Sequence, residues 1–270
     1  MHLILLSGGS GKRLWPLSND VRSKQFLKLL KDENGNAESM VQRVYRQLKE
    51  AGGWDSITVA ASASQYDMLT LQLGEDVNVV IEPERRDTFP AIALASSYLY
   101  SEKNVSREEA IAVLPVDPYV DLDYFKKVSD MEGVILEEKE TDLVLLGAMP
   151  TFPTEKYGYI ECGENRIIHS EARDSADSGV MLFNVNHFKE KPTVEEAEKL
   201  IDQGALWNCG VFGLKLGYVL NILEDKYSVM DFRYDAMKHT FLNLKKTSFD
   251  YEVVEKAKNI KVIKYENTWM

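Results

Sequence analysis

The chain of 270 residues holds only two cysteines and four histidines, and basic residues are outnumbered, with 32 Lys and Arg against 43 Asp and Glu. Cys162 and Cys209 are far apart and sit in no metal-ligand spacing. That excludes a zinc signature and a disulfide framework, and both read as reduced structural or site-lining thiols. The net charge of -11 argues against general nucleic-acid affinity. No apolar run reaches the roughly 18 residues that a membrane helix needs. The N-terminal apolar stretch also lacks a signal-peptide cleavage pattern, so no membrane partner and a cytoplasmic location are expected. Internal repeats and low-complexity linkers are missing too. A chain of this length fits one large α/β domain more easily than two independent ones.

What is present begins at the N-terminus, where the apolar stretch Leu3-Ile4-Leu5-Leu6 breaks into Gly8-Gly9-Ser10-Gly11-Lys12-Arg13-Leu14. A buried strand that opens into a glycine-rich, doubly cationic loop exposes backbone N–H groups together with positive charge, which suits a polyphosphate. Two familiar glycine loops are excluded. A Walker loop needs Gly at position 6 and Ser or Thr at position 13, where this chain has Leu6 and Arg13. The dinucleotide fingerprint needs Gly where Leu14 stands. The remaining alternative is an ordinary strand-to-helix turn with basic residues in solvent. Residues 12–28 carry Lys12, Arg13, Arg22, Lys24 and Lys28 against Asp20 alone. Because screening cuts off charges beyond about 8 Å, this cluster governs its surroundings more than the global sum does.

Downstream, strand-like and helix-like segments alternate, which predicts an α/β fold with a mostly parallel central sheet covered on both faces. Strands are expected at Ile57–Ala61, Val77–Ile81, Ala110–Leu114 and Leu143–Gly147. Helices are expected over Ser39–Glu50, with Met40, Val44, Tyr45 and Leu48 on one stripe, and over Phe89–Tyr100, apolar nearly all round and so buried. Thr193 and Glu196 form a capping box for a helix across Val194–Gln203. Residues 168–178 are polar and unpatterned, which predicts a mobile loop. In such a sheet, ligands gather beyond the carboxyl ends of the strands. The residues just after each strand are therefore the first candidates.

Taken together, GGSGKRLWPLS and the later Lys24-Gln25-Phe26-Leu27 resemble the opening of the sugar-1-phosphate nucleotidyltransferases, in particular the mannose-1-phosphate guanylyltransferases. The resemblance implies a Rossmann-like three-layer nucleotidyltransferase domain. It also implies a loop backbone, from Leu6 and Gly8 through Gly9, Ser10, Gly11 and Lys12, that holds a nucleoside triphosphate with Arg13. Lys24 would neutralise charge at the reacting phosphorus. Glu82-Pro83-Glu84-Arg85-Arg86-Asp87-Thr88, followed by Pro90-Ala91-Ile92-Ala93, resembles EPxxRNTxPAIALA, with Asp87 where Asn is usual. This segment implies nucleotide contacts from Glu82, Arg86 and Thr88. A carboxylate at Glu82 could accept from the N1–H and exocyclic amine that guanine presents together; the alternative is an ordinary exposed strand-end Glu. Pro115-Val116-Asp117 stands where the family shows a PADH-like run, and it implies Mg²⁺ on Asp117, with Pro118 in place of the usual His. A hard cation bridging phosphates needs only one or two carboxylates.

The sugar side is implied later in the chain. Tyr157-Gly158-Tyr159-Ile160 resembles the segment in which a glycine backbone approaches the hexose. Phe188-Lys189-Glu190-Lys191-Pro192 resembles FxEKP, giving Glu190 to sugar hydroxyls and Lys191 to the sugar phosphate. Trp207-Asn208-Cys209-Gly210-Val211-Phe212 resembles WNSGMF, giving Asn208 to the sugar, with Cys209 replacing Ser. Ser248-Phe249-Asp250-Tyr251-Glu252-Val253 matches a SIDYAV-type segment and is a weaker site candidate.

The resemblance therefore covers 1–270 as one catalytic domain, with a nucleotide-binding part at about 1–148 and a sugar-binding part at about 149–270. The sequence stops at Met270, ahead of the WxDxG aspartate that serves relatives as a second magnesium ligand, which leads us to expect a piece of a longer chain. The expected reaction is guanylyl transfer from GTP to mannose 1-phosphate, giving GDP-mannose and pyrophosphate. The alternatives are another base or another sugar 1-phosphate, such as that of heptose or glucose, or a non-catalytic nucleotide-sugar-binding regulatory subunit. A homodimer stays open.

Overall fold

The structure is a computed structural model, and it describes residues 1–8, 23–138, 140–168 and 179–269. Gly9, Ser10, Gly11, Lys12 and Arg13 of the glycine loop lie outside the described residues, as does the expected mobile loop apart from Ile168.

The first half runs β1 (His2–Leu6), a small hairpin of β2 (Leu30–Lys31) and β3 (Ala37–Glu38), α1 (Met40–Ala51), β4 (Ser56–Ser62), α2 (Tyr66–Leu73) and β5 (Asn78–Glu82). It continues with α3 (Thr88–Glu102), β6 (Ala110–Pro115), α4 (Leu122–Glu137) and β7 (Leu143–Ala148). The second half runs β8 (Tyr159–Ile168), β9 (Val180–Lys189), α5 (Val194–Asp202), β10 (Leu206–Lys215), α6 (Leu216–Tyr227), α7 (Tyr234–Thr240), α8 (Phe249–Glu252) and β11 (Ile260–Tyr265). Among the described residues, nine strands form one sheet in the order β5-β4-β1-β6-β10-β7-β11-β9-β8. Helices on both faces make it a Rossmann-like α/β fold.

Strands β5, β4, β1 and β6 are all parallel, joined in a register that aligns Leu6 with both Ala60 and Pro115. Beyond β6 the sheet becomes mixed. β10 enters antiparallel between β6 and β7, β11 pairs parallel with β7, and β9 and β8 close the edge antiparallel. One sheet therefore spans both halves, because β10 of the second half lies between two strands of the first.

The alternation of strand side chains divides the core into two layers. Ile4, Ile111 and Val113 face α3, α6 and α7, while Leu3, Leu5, Ala112 and Leu114 face α1 and α4. Helix α3 is buried along most of its length, with Phe89, Ile92, Leu94 and Leu99 fully out of solvent. Each such side chain contributes roughly 1.5–3 kcal/mol on burial. In α1 the buried stripe is Val41, Val44, Gln47 and Leu48, so Met40 and Tyr45 stand at its margin and not at its centre. The reason is polar: Gln47 is drawn inward because its Nε2 donates to the Val120 carbonyl at 3.2 Å. The Thr193 hydroxyl accepts from the Glu196 backbone N–H while Glu196 reaches back to the Thr193 N–H, completing the capping box of α5. Both cysteines are free. No described helix is long and apolar enough to cross a membrane.

Candidate active site

A cavity of about 380 Å³ opens where the parallel strands end. Leu6 at the end of β1, Ser62 of β4, Glu82 of β5 and Pro115 of β6 all contribute to its wall, with Ser7, Gly8 and Asp117 just beyond them. A parallel sheet produces this crevice because its strand ends present unpaired backbone groups and loops on one side. Ala91 and Thr88 of α3, Gln65, Arg85 and Asp87 line the cavity as well, and Gly210, Phe212 and Asp250 enter from the second half.

Lys24 and Asp117 are brought together as an ion pair at the cavity, although 93 positions of sequence are crossed to do so. The supports are local and specific. Lys24 opens a 3₁₀ turn over Lys24–Phe26. Its buried neighbour Gln25 donates to the Ser7 carbonyl at 3.2 Å, Gln65 Nε2 donates to Ser23 Oγ at 2.7 Å, and Gln72 Nε2 donates to the Phe26 carbonyl at 3.0 Å. On the other side, Arg43 Nη2 joins Gln47 in donating to the Val120 carbonyl, at 3.2 Å. The Arg43 guanidinium lies 4.8 Å from the Tyr119 ring centre. These contacts fix the loop that follows Asp117.

Among the described residues no group of three or more His, Cys, Asp or Glu side chains converges as a metal cage. Asp117 fits a magnesium ion of the kind held by one carboxylate, substrate phosphates and water. It is about one-third exposed at the cavity and offers a hard oxygen donor.

At the end of β5, Glu82 is pushed up to about 7 by burial, against the pull of Arg85. Arg86 does not join it. Its Nη2 donates to the Leu244 carbonyl at 3.0 Å and its Nη1 to Glu84 at 3.2 Å, so the cavity receives Arg85 where the sequence suggested Arg86. Asp87 caps α3, its Oδ1 accepting from the Thr88 N–H at 2.8 Å, with a backbone φ of 73°. That angle strains any residue with a Cβ.

The sugar-side candidates assemble next to the cavity. Glu190, only 8 % exposed, accepts from Lys191 Nζ at 2.5 Å, and Lys191 itself holds a left-handed φ of 47°. Burial works against the Lys191 ammonium, but the Glu190 bond and charge outweigh it and raise its pKa. Gly158 is where a side chain would intrude: a Cβ there would lie 2.6 Å from Glu190 Oε2 and 2.8 Å from Phe188. Asn208 sits at an irregularity in the pairing of β10 with β7, between Asn208 and Phe212. The break in register turns the strand so that Gly210 faces the cavity, with the Gly210 N–H donating to Asn208 Oδ1 at 3.0 Å. Cys209, buried at this bulge, has a thiol pushed well up by desolvation, so it packs as a small apolar group.

Asp250 is the residue that joins the two clusters. It lines the cavity and accepts from Asn208 Nδ2 at 2.8 Å. Burial, reinforced by the neighbouring Glu190 carboxylate, pushes it up to about 7, against Lys191 and Asn208. The sequence offered only a fingerprint segment here, and nothing in its spacing indicated that Asp250 would meet Asn208.

A strand-end crevice of this kind, with an ion pair and a second polar cluster alongside, is where Rossmann-like α/β sheets gather their ligands. The chain belongs to the nucleotidyl transferase family, whose model matches residues 2–262. It is 29% identical over 98% of its length to a mannose-1-phosphate guanylyltransferase of Salmonella montevideo, covering 56% of that protein. It is likewise 29% identical over 98% of its length to the alginate biosynthesis protein AlgA of Pseudomonas putida, covering 55% of it. The chain thus spans about half the length of these curated relatives. Among solved structures, one described as a mannose-1-phosphate geranyltransferase from Thermus thermophilus superposes with a TM-score of 0.79 at 26% identity, covering 100% of this chain and 75% of that one.

Proposed function

We propose that the chain transfers a guanylyl group from GTP to mannose 1-phosphate, releasing pyrophosphate and forming GDP-mannose. The observation that carries this reading is the placement of Lys24 and Asp117 on one cavity with Glu82 at its far wall and the Glu190–Lys191–Asn208–Asp250 cluster alongside. Family membership and the names of the relatives support the same reaction type.

The attacking group is a phosphate oxygen, already ionised near neutral pH, so no general base is required and alignment with charge neutralisation carries the rate. Lys24 offsets the charge that builds at the α-phosphorus and on the departing pyrophosphate. Asp117 would hold Mg²⁺, which when bound supplies positive charge to the triphosphate oxygens. Lys191 directs the sugar phosphate, and Glu190 and Asn208 accept from and donate to the hexose hydroxyls. Glu82 receives the guanine N1–H and amine, a pair of donors that adenine and uracil lack. Gly8 and Thr88 line the path of the nucleotide, and Arg85 supplies a cation at the base end.

The test is pyrophosphate release measured across GTP, ATP, CTP and UTP with mannose, glucose and heptose 1-phosphates. GTP with mannose 1-phosphate should give the highest kcat/KM. A higher value for another pair would reassign the substrates. Binding of GDP-mannose without turnover on any pair would favour the regulatory reading.

A further inference from the structure

Glu252 is 3 % exposed, and its carboxylate is completely out of solvent. It terminates α8, two residues beyond Asp250, and four groups from three separate stretches of chain converge on it. Lys226 of α6 donates to Oε1, as does the Tyr227 hydroxyl at 2.9 Å. Lys256 approaches Oε2 at 3.3 Å and Lys245 at 3.5 Å. Burial by itself would raise this carboxyl, yet the bonds from Lys226, Tyr227 and Lys256 overcome it and hold it at about 2.

The other end of the same short segment is also fixed. The Phe249 N–H donates to Thr88 Oγ1 at 2.8 Å, the Phe89 N–H donates to the Thr247 carbonyl at 3.2 Å, and the Phe249 ring packs 4.9 Å from Phe212. Asp250 therefore stands on a four-residue helix clamped at its start by the N-terminus of α3 and at its end by a buried charge cluster. A helix this short cannot hold its own conformation, because nucleation fixes more dihedral freedom than its few hydrogen bonds return. The direction of the Asp250 carboxylate therefore depends on these clamps, and with it the bond that Asn208 Nδ2 makes to Asp250, while Asn208 Oδ1 is held separately by the Gly210 N–H.

We propose that Glu252 is a positioning residue for the sugar-phosphate end of the site: its lysine clasp holds α8 so that Asp250 and Asn208 keep their mutual hydrogen bond at the cavity wall. The inference rests on the sugar-phosphate reading of that cluster given above. Glu252 does not touch the cavity, so its effect on turnover passes through Asp250.

The test combines steady-state kinetics with amide hydrogen exchange on Glu252→Ala and Glu252→Gln. Glu252→Ala should raise KM for mannose 1-phosphate about tenfold, since small misplacements of positioning groups have effects of this order, while KM for GTP stays within about twofold. Amides of Asp250–Val253 should exchange faster than in the parent chain. Glu252→Gln, which keeps the size and one acceptor, should fall between the two. Should Glu252→Ala fail to fold, Lys226→Met, which removes one exposed partner, should show the same asymmetry at smaller size. Equal changes in both KM values, unchanged kinetics, or unchanged exchange at 250–253 would overturn the proposal. If the parent chain turns over no sugar phosphate at all, the reaction assignment fails, and the exchange measurement alone then decides whether Glu252 positions Asp250.

Discussion

The two ends of the cavity are built by opposite means. The nucleotide end grows from the four parallel strands β5, β4, β1 and β6, whose carboxyl ends supply backbone and loops in register. Of its polar side chains, Glu82 ends β5, Asp117 and Gln65 stand just past β6 and β4, and Lys24 reaches Asp117 from a 3₁₀ turn. The other end is built where the sheet is mixed and β10 is irregular, and there buried carboxyl groups are each held by a specific partner: Glu190 by the Lys191 ammonium, Asp250 by the neutral Asn208 amide, and Glu252 by its lysines. A parallel sheet offers a crevice to any ligand at little sequence cost. A cluster of buried charges is stable only when each member is paired, so it fixes a particular arrangement of donors and acceptors. In the reaction proposed above, the triphosphate, common to many substrates, would meet the generic end and the distinguishing sugar the specified one.

The sharpest way to break this comparison is Lys24→Ala. If the nucleotide end acts mainly by charge at the reacting phosphorus, kcat should fall on the order of 10²- to 10³-fold, the usual effect of deleting one electrostatic stabiliser. KM for mannose 1-phosphate should barely change. Equal losses in both would mean that the two ends are not separate in function. Gly158→Ala probes the other end and should act in the reverse sense. Its methyl would meet Glu190 Oε2 and the Phe188 ring, both held by packing, so Glu190 must move. KM for the sugar phosphate should rise by about 10- to 100-fold with KM for GTP little altered, as expected for a displaced binding group.

The same contrast explains what the sequence made legible. Strands expected at Ile57–Ala61, Val77–Ile81, Ala110–Leu114 and Leu143–Gly147 are found within a residue or two, because buried parallel strands are short apolar runs. Helix α3 was equally plain from its apolar content, and α5 from its capping box. Helix α4 was not anticipated, although Asp121 caps it by accepting from the Tyr124 N–H. Gly133 and its interspersed charges blur the stripe of Val128, Met131, Val134 and Ile135. Strand β8 was missed because its middle, Glu161–Arg166, is polar and its second half exposed, and β9 because its apolar start, Val180–Phe183, gives way to polar, exposed residues before Phe188. In the site, Lys24 and Asp117 each stood in a motif, but Asp250 depends on a partner 42 positions away and on a clasp of lysines that no local pattern records. Arg85 and Arg86 are neighbours of like chemistry, and only the turn before α3 decides which one faces the cavity.

The smallest effect we expect is a pH dependence that differs between the two ends. Burial raises Glu82 to about 7, so near neutrality the empty site holds a mixture of acid and carboxylate. Guanine presents two donors, which only the carboxylate can receive together, so if Glu82 reads the base as proposed, GTP binding expels the proton below that value. GTP affinity should therefore be about tenfold weaker at pH 6 than at pH 8, with Glu82→Gln flattening the profile and narrowing the preference for GTP over ATP. Stability should respond in two senses. Glu82 and Asp250 bind protons more tightly folded than unfolded, so the contribution they make is full below the ordinary carboxylate range and is lost as pH rises through about 7. Glu252 is depressed to about 2, so its contribution is present above that range and is lost as pH falls toward 2. Thermal unfolding of the parent chain, Asp250→Asn and Glu252→Gln followed from pH 3 to pH 8 would separate them: Asp250→Asn should remove part of the decline between about pH 4 and pH 7, and Glu252→Gln part of the decline on the acid side. If both substitutions altered the same limb, the charges at the sugar end would not be balanced independently, and the clasp would belong to the site itself.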